Sequence, residues 1–175
     1  ITGALRASRR SRTADSLVVA GASAPALLAL SEADSLLARA EIADARWPTP
    51  YVQRAAVSVL RAEALRQDPA ALPAVIDSGI ARATRALALD ARNADAFEYR
   101  GKLHYMAFAQ RVHANPDHNR QSLALAEQDL TSAVRLNPNQ AGAWDLLSNV
   151  HYWKPDLGLA AQAAREAYRA DSYLR

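Results

Sequence analysis

The segment DARWPTPYVQRA, residues 44–55, returns 46 residues later as DARNADAFEYRG, residues 90–101. Both begin Asp-Ala-Arg, place an aromatic seven residues on (Tyr51, Phe97), and close on an arginine and a small residue (Arg54-Ala55, Arg100-Gly101). Self-similarity at a period of tens of residues is the signature of a stacked array. Each unit is one supersecondary element that cannot bury its apolar face alone and does so against its neighbours. Such a chain distributes its core between successive units, so a central catalytic pocket is not the first expectation.

The periodicity between these markers is helical. SEADSLLARAEIADARW places Ala33, Leu36, Leu37, Ala40 and Ala43 on one face, with Ser31 as a candidate N-cap and Trp47-Pro48 as the stop. A second helix is predicted from about Pro50 to Arg66, its prolines falling in the first turn. QDPAALP then breaks the chain. IDSGIARATRALALD reads as a third helix and DAFEYRGKLHYMAFAQRV as a fourth, while HANPDHNRQ reads as a loop by composition. SLALAEQDLTSAVRLNPN, GAWDLLSNVHYW and LGLAAQAAREAYRAD supply three more. Residues 13–30 are expected to be helical too, with limits blurred by Gly21 and Pro25. No segment reads as a strand. Half the residues are apolar but only 6% are aromatic, so small Ala and Leu side chains must fill the core. That composition suits close helix-on-helix packing.

The last pair reads Trp144-x2-Leu147-Ser148-x2-His151, then Ala160-x3-Ala164-x2-Ala167. The pair before it reads Phe97-x2-Arg100-Gly101-x2-His104, then Ala126-x3-Leu130-x2-Ala133-x4-Pro138. The first full pair reads Tyr51-x2-Arg54-Ala55-x2-Ser58, then Gly79-x3-Ala83-x2-Ala86-x4-Ala91. A half unit, Ala33-x3-Leu37-x2-Ala40-x4-Ala45, precedes them. This register resembles the tetratricopeptide repeat (TPR), whose pattern is W-x2-L-G-x2-Y followed by A-x3-F-x2-A. The resemblance spans about residues 30–172. It implies an all-α, right-handed α-α superhelix, a helical-repeat solenoid over residues 13–175. Units fall at approximately 13–47 (partial), 48–93, 94–140 and 141–172, behind a basic, flexible lead-in at 1–12. Aromatic wedges should open each first helix, and small residues (Gly101, Ala126, Ala133, Ala160, Ala167) should mark close helix approach. The middle units depart from the family. Their period is 46 to 47 residues instead of about 34, Arg54 and Arg100 replace its leucine, and His104 and His151 replace its tyrosine.

The net charge of +3 is local. Arg6, Arg9, Arg10 and Arg12 lie in ITGALRASRRSR, and without them the 21 basic residues become 17 against 18 acidic ones. No basic stripe for nucleic acid is left. No apolar run approaches the roughly 20 residues that span a bilayer, so neither nucleic acid nor membrane is an expected partner. With no cysteine there is no thiolate metal site or thiol nucleophile, and the compartment stays open, the cytoplasm being favoured. The start without methionine reads as a processed or excised segment. His113 and His118 lack further ligands at metal spacing, and His104 and His151 are expected to pack in place of the family's tyrosine, each with one hydrogen bond. The scattered glycines form no phosphate loop. No catalytic, cofactor or metal residues are assigned.

A binding face is the better expectation. The resemblance implies that first helices line a concave surface. Facing positions would be Asp95, Glu98, Lys102 and Tyr105, then Asp145, Asn149 and Tyr152, each set at helical spacing on one side. Charged, amide and tyrosine groups there suit an extended peptide or a protein segment, and equally suit an ordinary solvated face. In the first full pair the equivalents are Thr49, Val52, Ala56 and Val59, which predicts a groove apolar at one end and polar at the other. The function expected is a non-catalytic protein-interaction or regulatory module. Similar segments accompany catalytic or sensory domains of large bacterial regulatory proteins. Two alternatives remain: self-association into a homo-oligomer through an uncapped last pair, or a repeat segment serving an enzyme domain elsewhere.

Overall fold

The computed structural model describes residues 23–68 and 70–172. The basic lead-in at 1–12 and residues 13–22 of the expected 13–30 helix lie outside them; the rest of that segment is helical from Ser23. Among the described residues the protein is all-α, with seven helices and no strand: α1 Ser23–Ala43, α2 Pro48–Ala64, α3 Leu72–Leu89, α4 Ala94–Ala109, α5 Pro116–Leu136, α6 Ala141–Trp153 and α7 Leu157–Ser172. They form two compact units, α1–α3 and α4–α7, dividing between Ala91 and Arg92. In the first, α2 packs on both α1 and α3. In the second, α4 pairs with α5 and α6 with α7, while α5 and α4 both also contact α6. That is the packing of stacked helix pairs.

The turns between pairs carry the repeat in their backbone. Asp90 and Asn137, which close α3 and α5, hold nearly the same extended conformation (φ −140°, ψ 92° and φ −138°, ψ 94°), and each donates its N–H to a carbonyl four residues back at 2.8 Å. The Trp47 and Gln140 N–H groups each close a turn onto the residue three back at 3.2 Å. Asn93 then caps α4, its side chain accepting from the Ala96 N–H at 3.0 Å.

Two boundaries differ from expectation. Ser31 lies inside α1, which begins at Ser23 with Pro25 in its first turn, where a missing N–H costs nothing. HANPDHNRQ is largely helix, because α5 starts at Pro116. Asn115 accepts from the Asp117 N–H at 2.8 Å, proline occupies the first helical position, and Asp117 sits favourably at the positive end of the helix dipole.

The wedges and small residues do what their positions require. Phe97 and Trp144 pack against the second unit's core of Leu123, Leu130, Leu147 and Val150, and the Trp144 indole N–H donates to the Pro138 carbonyl at 2.9 Å. Tyr51 is half-buried beneath the Arg85 guanidinium. A Cβ on Gly101 would stand 2.8 Å from Leu130 Cγ, so α4 and α5 approach too closely there for a larger residue. In α7 the buried alanines are Ala160, Ala163 and Ala170, while Ala164 is exposed. The helix is rotated from the family register beyond Ala160.

Arg54 and Arg100, at the repeat position where the resemblance implies leucine, are partly buried charge partners. Arg54 donates from Nε and Nη2 to both Asp34 oxygens at 2.8 and 3.0 Å, and from Nη1 to Glu41 at 2.7 Å, fastening α2 to α1. Arg82 of α3 joins them, 3.9 Å from Asp34 and donating to the Ser58 hydroxyl at 3.2 Å. Burial pushes the Asp34 carboxyl up, but the Arg54 hydrogen bond and the charges of Arg54, Arg82 and Arg61 outweigh it and hold it below the usual range. Arg100 instead grips Asp129 of α5 with two bonds, at 2.8 and 2.7 Å. His104 Nε2 lies 3.9 Å from Asp129 and His151 Nδ1 lies 3.6 Å from Glu127. Both separations are longer than the hydrogen bonds expected of these histidines.

Candidate functional site

The seven face residues lie on α4 and α6, which touch within the second unit. Near the start of α4, Asp95 is exposed and accepts from Gln140 Nε2 at 2.6 Å, so the residue capping α6 also ties it to α4. Glu98 lies one turn further, against the first turn of α6. A Cβ on Gly142 would sit 2.7 Å from Glu98 Oε1, so glycine makes room for the carboxylate. Burial raises the Glu98 carboxyl, Asp95 adds to the rise, and Lys102 opposes it. The neighbouring Tyr99 hydroxyl is pushed up to about 12 by burial and by Glu98 and Asp95.

Lys102 and Tyr105 are half-buried, and Tyr105 packs against the core with its ring centroid 6.4 Å from Phe108. On α6, Asp145, Asn149 and Tyr152 are all exposed. Asn149 donates to the Asp145 carbonyl at 3.2 Å, a bond that stays within α6. The structure therefore joins Asp95 and Glu98 at the α6 N-terminus, turns Tyr105 partly into the core, and leaves the α6 set open. Of the expected apolar end of a groove, Val52 and Val59 of α2 are buried, and Thr49 and Ala56 are half-buried. Valines at these positions serve packing, which alternating polarity on one helix could not distinguish from a binding lining.

A cavity of about 570 Å³ escaped the sequence reading. It opens between the α4–α5 connection and the end of α6, where the Phe108 and Trp153 rings meet edge-on at 5.5 Å. Its discoverable signal was an aromatic at the end of both α4 and α6, in MAFA and HYWK. Nothing in the sequence says that these two aromatics, 45 residues apart, face one another. Among the described residues no three His, Asp or Glu side chains group as a metal site, and no helix is long and apolar enough to cross a membrane.

No family model matches the chain, and no curated protein matches it. Among solved structures it is similar to one described as "MamA RS-1 ArsTM double mutant", at 15% identity, a TM-score of 0.45, and coverage of 97% of this chain and 96% of that one. The helix-pair architecture rests on the packing above and not on that likeness.

Proposed function

We propose that this chain is a non-catalytic protein-interaction module of tetratricopeptide type, serving a larger regulatory protein and taking an extended peptide or protein segment across α4 and α6. The observation that carries the reading is the open face of α6. Asp145, Asn149 and Tyr152 stand exposed at i, i+4 and i+7, beside the half-buried Glu98, Lys102 and Tyr105 of α4. Helices need polar surfaces, but a tyrosine two-thirds exposed in line with an amide and a carboxylate is a surface suited to recognition. Exchanging Lys102 for Glu and Asn149 for Leu together should abolish partner capture while circular dichroism shows unchanged helicity. Undiminished capture would refute the assignment.

Self-association is a second reading, favoured by the exposed Leu157, Leu159 and Tyr168 on α7. Light scattering across a hundredfold concentration range tests it. A mass that stays monomeric throughout removes it and leaves the peptide reading untouched.

A further inference from the structure

The cavity beside Phe108 and Trp153 is separate from the α4–α6 face and does not depend on the reading given to that face. Its apolar walls are the two rings with Ala109, Ala114 and Pro116. Its charged and titratable lining is all of one kind: Arg111, His113 and Arg120, with no carboxylate among them. The nearby acids of α5 are already engaged, Asp117 with Arg120 and Glu127 with Lys154. Arg120 and Asp117 are both about three-quarters exposed, so that pair is weak and can be exchanged for a better acid.

Two further features are expensive unless something uses them. Helix α4 ends in a Schellman turn, with Arg111 N–H on the Phe108 carbonyl at 3.1 Å and Val112 N–H on the Ala107 carbonyl at 3.0 Å. Arg111 occupies its left-handed position at φ 50°, where glycine is the ordinary residue. An arginine kept there projects from a strained backbone at the cavity rim. Asn119, also in the lining, donates from Nδ2 to the His113 carbonyl at 2.8 Å, which fixes its orientation. Its Oδ1 is then buried with no hydrogen-bond partner among the described residues. A buried acceptor without a donor is costly.

We propose that this cavity anchors the aromatic side chain of an acidic peptide segment. The aromatic ring packs edge-to-face with Phe108 and Trp153, the favoured geometry for such groups. Carboxylates on either side of it in the peptide meet Arg111, Arg120 and His113 at the rim. The several carboxylates flanking the ring select such a peptide over a free aryl carboxylate, which offers only one to Arg111, Arg120 and His113. The volume falls within the range of pockets that take a compact ligand.

The test is a two-dimensional NMR titration of the full chain with acetyl-Asp-Asp-Phe-Asp-Asp-amide, following the Trp153 indole N–H and the Asn119 side-chain amide. Saturable shifts at both are expected. Alanine in place of the peptide's phenylalanine, lysines in place of its aspartates, and 3-phenylpropionate alone should each bind at least tenfold more weakly. Arg111→Gly removes the cation and relieves the backbone, so it should weaken binding about tenfold without loss of fold, and Trp153→Ala should do at least as much. Lys102→Glu with Asn149→Leu should leave this affinity unchanged, which separates the cavity from the α4–α6 face. No saturable shift at Trp153, equal affinity for any control ligand, or full binding by Arg111→Gly would overturn the proposal.

Discussion

Arg54 and Arg100 stand at the same place in successive repeats and solve the same problem differently. In the first unit Arg54 shares its charge between Asp34 and Glu41, with Arg82 close by, and the acids are 18% and 15% exposed. In the second, Arg100 places two hydrogen bonds on Asp129, whose side chain is only 5% exposed. The third copy of the position, Leu147, is simply buried. A carboxylate reached by two arginines tolerates the loss of one; Asp129 is more deeply buried, and losing its bidentate arginine should cost more. The repeat frame thus fixes where a side chain points, and the neighbouring second helix decides whether charge is affordable there.

The largest expected effect comes from breaking the Arg100–Asp129 pair. Arg100→Leu strands Asp129 and should cost about 3–5 kcal/mol, while Arg100→Leu with Asp129→Leu should return most of it, since a buried pair is often replaceable by apolar packing. Urea unfolding of the two variants measures this. Arg54→Leu removes charge-assisted hydrogen bonds but leaves Arg82 near Asp34, so the loss should be about 2 kcal/mol and below that of Arg100→Leu. Equal losses would erase the comparison.

Smaller still is Gly101→Ala, which installs the first unit's Ala55 in the second. Crowding against Leu130 costs about 1–3 kcal/mol, and better helix propensity returns up to about 1, so a net loss near 1 kcal/mol is expected in the same assay.

The smallest effect is on pH. Burial, with Arg100 and His113, lowers the His104 pKa against the pull of Asp129. A depressed histidine contributes stability above its ordinary 6.5 and loses it as pH falls. The second unit should therefore weaken on mild acidification, and His104→Gln should flatten the slope. Glu98 acts in the opposite sense, because its raised carboxyl favours the folded state at low pH, so the comparison belongs in a Glu98→Gln background. The first unit, resting on the lowered Asp34, should hold until pH falls below the usual 3.8. Residue-resolved amide exchange distinguishes the two.

Much of this fold was legible because its signals are local. Prolines, Asn93 and the Leu-Asp and Leu-Asn endings of α3 and α5 mark turns whose chemistry is set within a few residues. What was not legible depends on neighbours. Asn115-Pro116 reads equally as loop or helix start, and the alanines of α7 populate several faces, so no large side chain fixes its rotation. Val52 and Val59 look like groove lining until packing buries them. Phe108 and Trp153 meet only in three dimensions. Of the face residues, Asp95 and Glu98 were recognisable as polar positions, but not as partners of Gln140 and Gly142.

The central functional claim is that recognition belongs to the open first-helix face of the second unit. The most direct measurement is to select binders from a random peptide library against the full chain and map them by NMR chemical shift. Perturbations should concentrate at Asp95–Tyr105 and Asp145–Tyr152 and be lost with Lys102→Glu and Asn149→Leu. Apart from acidic aromatic peptides, which the Phe108–Trp153 cavity takes, binders indifferent to that double substitution, or perturbations confined to α7, would contradict it.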